Sequence, residues 1–475
     1  MEKAGVPGVA IDTTTFISDG LSSAQDNGMP LLRIVTVEAK AWYMARSTPA
    51  EMAHVSASVI DKALDALTRP LTLEEGAAQT TEAKSTKLPL TFSGNSYNEC
   101  VEAMNDFFIK NHMSDGLPFV PPTKEAVDWM LTGTSRSRDE VIGVPVTPKY
   151  GIATIEKIAA NSVMAGAKPE YLPVIITAIE ILTRGEEHYW LNHLQCSASG
   201  PSPIIIVNGP IAGEIGMNFD RAYLGPGWRA NAAIGRAVRL CLQNLGHTWP
   251  GENDMSNSGK MAPYSGWCFA EDERDLPYNV QVAGSKEKIT WPSFAVQHGF
   301  KPEDSVVTVA TANYYAPKAG GGAVSPMSPY EQLVLTSKTM VDLQGGAAVQ
   351  PFLKSHYVIA LYAEQARRLA EAGFTKEELQ RWLFFQARIP LTDLTEFELS
   401  RIKKSTAENE VWAPAGMAGT RNVKISLPVC PGPDQIHILV VGGTPGYNVI
   451  WLYDNGALGF GMKKVTGATL TKAGK

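Results

Sequence analysis

Residues 169–182 read Pro169-Glu170-Tyr171-Leu172-Pro173-Val174-Ile175-Ile176-Thr177-Ala178-Ile179-Glu180-Ile181-Leu182. A proline starts the segment, and Val174 to Leu182 is apolar almost all round. A helix with no polar face is a buried helix, so this stretch marks the centre of a domain. Farther on, Pro203-Ile204-Ile205-Ile206-Val207 reads as a buried strand running into Asn208-Gly209-Pro210. Just upstream, Thr154 to Gly166 carries Ala159, Ala160, Ser162 and Ala165, small residues that let a second backbone come close. Downstream, the turn Leu224-Gly225-Pro226-Gly227-Trp228-Arg229 opens a helix over 230–245.

The pattern continues in both directions. Ser96-Tyr97-Asn98-Glu99 is a capping box, and Tyr97, Val101, Met104 and Phe108 fall on one face of the helix it starts. Pro121-Pro122-Thr123 caps the next helix. Short strands are predicted over 306–311, 357–361 and 436–441, and helices over 364–372 and 375–387, the latter opened by the box Thr375-Lys376-Glu377-Glu378. No regular internal repeat is visible. Residues 95–475 thus form a large mixed α/β domain with the expected substrate site.

The first 71 residues differ in kind. Val6–Ile11, a helix over 16–25, Leu31–Val37, and a helix opened by Thr48-Pro49-Ala50-Glu51 alternate strand with helix. That alternation implies parallel pairing through crossover units. On the last helix Met52, Val55, Val59, Leu64 and Leu67 make an apolar stripe. The fold class expected is α/β: an incomplete open parallel-sheet domain at the N-terminus plus the larger mixed α/β domain. Residues 72–94, rich in Thr, Glu, Ala and Lys, read as a linker.

The 475 residues carry a net charge of −6, which argues against a dedicated nucleic-acid binder. No apolar run is long enough to span a bilayer, and the N-terminus lacks a signal-peptide layout. Five scattered cysteines without a C-x-x-C pair, and no N-x-S/T sequon, favour a cytoplasmic location.

Several segments could carry chemistry. Gly227, Arg229 and Asn231 stand where a glycine turn feeds a helix N-terminus, a place suited to an anion. Glu187 to Gly200 brings His188, His193 and Cys196 close in sequence; the five-residue spacing of the histidines is poor for a metal, and Cys196 is a candidate nucleophile. Lys260 lies among Tyr264, Trp267, Cys268, Glu271, Asp272 and Glu273, which read equally well as a pocket wall or as a solvated acidic loop. Glu156 and Lys157 sit in the small-residue helix, where one of them points inward if both sides are packed. Gly443 belongs to a glycine loop after the 436–441 strand that could touch a substrate, but it is no dinucleotide or Walker motif. No metal or cofactor is expected.

Met1-Glu2-Lys3-Ala4-Gly5-Val6-Pro7-Gly8-Val9-Ala10-Ile11 resembles a segment of the B component of glycine and betaine reductases. It is closer to the related UGSC family, named for its selenocysteine/Cys-Gly-Ser-Cys motif. Asp115-Gly116-Leu117-Pro118, Thr154 to Ala159 with Met164-Ala165-Gly166, Asn208-Gly209-Pro210-Ile211 and Leu224 to Asn231 also resemble sequence found with UGSC proteins. The chain contains no Cys-Gly-Ser-Cys, and the matching position would precede Met1. A shortened product, a partner subunit supplying the missing half-domain, or chemistry moved to the large domain would each account for that. The resemblance implies thiol or selenol chemistry on a small anionic or polar metabolite, making or breaking a carbon–heteroatom bond, with Cys196 or Cys268 in the role of the missing residue. Arg229, Asn231, Gly227, Lys260 and Gly443 are the expected substrate contacts. A cofactor-free lyase or hydratase of small-molecule biosynthesis, using Glu156, Lys157 or His193 as acid or base, is the alternative. A non-catalytic subunit is the third reading, and a homo-oligomer is left open.

Overall fold

The computed structural model describes residues 8–14, 17–26, 29, 31–37, 49–70, 72, 90–185, 189–197, 200–256, 259–260, 267–312, 314–319, 328–346, 356–395, 426–442, 447–453 and 460–469. The chain is a mixed α/β protein. Near the N-terminus β1 (Val9–Thr13) pairs in parallel with β2 (Arg33–Val37), joined through the helix Ile17–Asp26. The helix Pro49–Thr68 lies on this pair through Val59, Ala63 and Ala66, which meet Val9, Val35 and Val37. Those positions are four and three apart, so the alanines set the inward face and allow close approach. Leu64 and Leu67 of the expected stripe fall outside that face and are exposed; Met52 and Val55 lie outside the described side chains. The Arg33 guanidinium donates to the carbonyls of Ala66, Arg69 and Pro70, a cation at the helix's negative end.

The expected linker splits. Residues 73–89 lie outside the described residues, but Phe92 packs edge-on against Phe107, with ring centres 5.6 Å apart, and belongs to the large domain. There the helix Tyr97–Lys110 starts at its Ser96 cap, and Met104 is buried while Tyr97, on the predicted inner face, is exposed. The helix Lys124–Leu131 follows its Thr123 cap, and a hairpin of β3 (Val141–Val146) and β4 (Gly151–Thr154) leads into the helix Ile155–Met164. The helix Leu172–Leu182 is buried nearly throughout, as its sequence requires.

Eight strands of the large domain, among the described residues, form two four-stranded sheets. The first contains β5 (Ser202–Asn208) and β6 (Trp267–Ala270). A small hairpin, β7 (Val280–Gln281) with β8 (Lys288–Ile289), precedes β9 (Val306–Ala312) of the same sheet. The second sheet begins with β10 (Tyr314–Ala319) and β11 (His356–Tyr362). After the short pair β12 (Arg388–Pro390) and β13 (Ser426–Pro428) it gains β14 (Ile436–Val441) and β15 (Tyr447–Tyr453). The last strand, β16 (Gly461–Lys464), returns to the first sheet.

The two sheets have one plan. Their orders are β16-β9-β5-β6 and β10-β15-β11-β14. In each, one edge pair is parallel and the other two pairs are antiparallel. The strand that follows β9 or β15 crosses to edge the opposite sheet, so two topologically equivalent halves exchange their last strands. The sequence carries no matching repeat, because the equivalence is one of backbone path.

Side-chain alternation gives four layers. Ile204, Ile206, Phe269 and Ala310 of the first sheet meet Val358, Ala360, Leu439 and Val441 of the second. Ile205, Val207, Val307 and Val309 point the other way, onto the 155–164, 172–182 and 229–246 helices. Tyr357, Ile359, Ile436 and Ile438 do the same beneath the 329–346, 363–371 and 376–386 helices. Burial on both faces is why β5 reads as an unbroken apolar run. At its end Gly209 takes φ +80°, and a Cβ there would strike the Asp304 carbonyl.

One end of the layer between the sheets is made of histidines. His356 Nδ1 lies 3.2 Å from His437 Nε2, and the His437 ring stacks on Phe460 at 4.4 Å between centres. Burial pushes His437 well below the ordinary imidazole value and His356 down to about 4. In the unfolded chain both rings take up a proton near pH 6.5, whereas in the folded chain His356 does so only at about pH 4 and His437 is held neutral well below its ordinary value. The stability they contribute is therefore present above about pH 6.5 and lost as the pH falls. Denaturant titrations between pH 7 and 4 are expected to show a falling midpoint, and His437→Phe is expected to make that fall shallower.

Candidate active site

The helix Tyr189–Cys196 carries His193 and Cys196 three residues apart, hence on one face. Its last carbonyl accepts from Met255 N at 3.2 Å, which docks the loop that follows the long helix Arg229–Gly246. That loop is held by Asn253, whose carboxamide oxygen accepts from Trp249 N at 2.9 Å and whose amide donates to the His247 carbonyl at 3.0 Å. Asp254 then pairs with Lys260 at 3.0 Å, both side chains being buried. At Gly200 a Cβ would sit 2.7 Å from the Gly259 carbonyl, so the approach to β5 and the turn bearing Lys260 meet backbone to backbone.

These contacts gather three of the sequence-predicted residues, Cys196, His193 and Lys260, from segments more than sixty residues apart in the chain. Burial lowers the Lys260 ammonium from its ordinary value, with Arg239 adding to the shift while Asp254 and Cys196 oppose it. Burial also lowers His193, and the Lys260 charge adds to that. His193 is therefore neutral near pH 7 and able to accept a proton. Arg239 and Asp254 complete the cluster; neither stood out in the sequence, since an arginine in an amphipathic helix looks like a surface residue.

The other predicted residues lie elsewhere. Glu156 and Lys157 both face outward. Glu156, in the first turn where a carboxylate suits the helix dipole, pairs with Arg138, and Lys157 donates to the Ile152 carbonyl at 3.0 Å. Neither charge points inward; the inner face of that helix is Ile155, Ile158, Ala159 and Ser162. Arg229 donates to the Gly166 carbonyl at 2.8 Å and ties two helix ends together. Gly227, with φ +111°, shapes the turn before it. Asn231 is buried and locks the 218–223 loop, accepting from Asn218 N at 2.9 Å and donating to the carbonyls of Asn218 and Tyr223. Gly443 lies outside the described residues. Cys268 is buried in β6, and burial pushes its thiol far above the ordinary value, which makes it a packing residue. Among the described residues no three His, Cys, Asp or Glu side chains gather as a metal ion would require, and no helix is long and apolar enough to cross a membrane.

The acidic trio after β6 forms a second polar cluster. The Glu271 carboxylate is wholly buried and accepts from Asn208 Nδ2 at 2.7 Å, Phe294 N at 2.6 Å and Val440 N at 3.1 Å. Lys376 Nζ stands 3.5 Å away, itself fully buried at the start of the 376–386 helix. Glu273 accepts from the same Asn208 amide at 2.7 Å and from Gly209 N at 3.1 Å, and burial raises its carboxyl from the ordinary value. Lys376 looked like a capping-box surface residue in the sequence; only the fold shows that it faces the sheets. Glu271, with its acceptor oxygens filled by the protein, is a tie between layers. Removing Lys376 alone would leave the carboxylate buried without its cation. Lys376→Met is therefore expected to cost about 3–5 kcal/mol in denaturant unfolding, with a large part restored when Glu271→Gln is added.

Comparison of the chain with protein-family models and with curated proteins finds no match.

Proposed function

We propose that this protein is an enzyme that acts on a small anionic or polar metabolite and makes or breaks a carbon–heteroatom bond, with Cys196 as nucleophile. The supporting observation is the placement of His193 and Cys196 on one helical face beside the buried Lys260–Asp254 pair. The resemblance of the chain's segments to UGSC and glycine reductase B proteins points to the same class of chemistry.

In this reading the neutral His193 imidazole takes the Cys196 proton, and the thiolate's electron pair forms a bond to the substrate carbon. The heteroatom leaves with the electrons of the broken bond and receives the proton from His193. Water then replaces sulfur at carbon, giving its proton back to the thiol. Lys260 supplies positive potential where negative charge develops.

Peptide-resolved alkylation with iodoacetamide tests this. Cys196 is expected to react at least about tenfold faster at pH 7 than the half-buried Cys100, because the thiolate is the reacting form. His193→Ala should remove most of that advantage. A Cys196 no faster than the buried Cys241 would overturn the thiol reading.

A further inference from the structure

The 229–246 helix presents Gly235, Arg239, Leu242 and Gly246 at spacings of four, three and four, a single face. Gly235 lies against Cys268 at β6, through a backbone contact to its thiol. Gly246 lies against Gln195 and the Thr147 carbonyl, where any Cβ would clash. Arg239 is thereby held between β6 and the helix that bears His193 and Cys196. It stands within electrostatic reach of Asp254 and Lys260.

Its guanidinium is anomalous. Nε and Nη1 are buried and have no hydrogen-bond partner. Other arginines of the large domain find acceptors: Arg136 bonds Glu140 and Glu180, Arg236 bonds Asp115, and Arg388 bonds Ser426. Asp254 commits its Oδ1 to Lys260 Nζ at 3.0 Å and Ser256 N at 3.1 Å, and makes no hydrogen bond to Arg239 Nε or Nη1. With His193 neutral, the cluster holds two cations against one carboxylate among the described residues. Buried N–H donors left without an acceptor are costly, and a site with one surplus positive charge and such donors is completed by a monoanion.

We propose that Arg239 anchors the carboxylate of a small monocarboxylate substrate, whose reacting carbon is thereby presented to Cys196. The choice of class follows from the charge count and the donor shape. A planar guanidinium offers paired N–H groups that match a carboxylate, and a single surplus charge does not balance a phosphate dianion. The proposal rests on the thiol reading for the role of Cys196, but the anion site itself does not.

Two measurements separate those parts. The first compares alkylation of Cys196 by iodoacetate and by its neutral analogue iodoacetamide in the full-length protein. The ratio of the two rates is expected to fall about tenfold or more in Arg239→Met, the size of a lost charge-assisted hydrogen bond. Arg239→Lys, which keeps the charge without the fork, should recover part of it and serves if the methionine variant fails to fold. The second is the thermal unfolding midpoint of the wild-type and Cys196→Ala proteins in sodium acetate against acetamide and sodium chloride at matched ionic strength. Acetate is expected to raise both midpoints, and to lose that effect in the Arg239 variants. Acetate stabilising Cys196→Ala while Cys196 proves inert to both reagents would uphold the anchor and discard the thiol reading. No stabilisation beyond acetamide or chloride, or an alkylation ratio unchanged by loss of Arg239, would overturn the anchor whatever the reactivity of Cys196.

Discussion

The Glu271 carboxylate fixes how the large domain is put together. It leaves the end of β6 in the first sheet and accepts a backbone N–H from β14 in the second. It also holds the N-terminus of the 294–297 helix, the Asn208 amide at the end of β5, and the Lys376 ammonium. Apolar contact between two sheets is non-directional and tolerates sliding. Hydrogen bonds to one buried carboxylate do not, so these donors set the register of the sheets at this end. Beside it, Asp272 N donates to the Val440 carbonyl at 2.9 Å and Gly442 N to the Phe219 carbonyl at 2.7 Å, which extends the junction through backbone alone.

The candidate active site lies at the opposite end of β5. β5 runs seven residues from Ser202 to Asn208, about 20 Å of extended chain from end to end. The Glu271 junction and the Cys196–Lys260 cluster are therefore held apart by a strand buried over its whole length. The separation has a physical use: the structural carboxylate is saturated by protein donors, while Arg239 at the other end keeps buried donors unfilled. The two polar clusters differ in that property more than in composition.

Much of the architecture was legible because burial writes directly into composition. The 172–182 helix and β5 are apolar on all sides, and both are buried as that pattern requires. The boxes at Ser96 and Thr375 mark helix starts that the structure keeps. The four-residue β6 was hidden in a stretch of mixed aromatic and charged residues, too short for alternation to show. Leu64 and Leu67 misled because large side chains suggested a core face that alanines occupy instead. At the site, residue type drew the eye to Cys196, His193 and Lys260. Their convergence was invisible, since it depends on the Met255 and Gly200 contacts between distant segments. Arg239 and Lys376 carried no signal at all: each sits where a solvated charge would be equally at home, and only the packing around it differs. Three of the glycine-containing stretches picked out in the sequence lie at joints of the fold: Asp115 binds Arg236 through two hydrogen bonds, Gly209 follows the end of β5, and Arg229 closes on Gly166.

The exchange of edge strands bears on how the chain is made. β9 needs β16, which lies some 150 residues later, before its outer edge is covered. β10 likewise waits for β15. As the polypeptide leaves the ribosome, the first sheet keeps an open edge while those intervening residues are made, and the two halves cannot finish in turn. An uncovered strand is a template for unwanted pairing, so this topology asks for protection of the nascent chain until its final strand arrives.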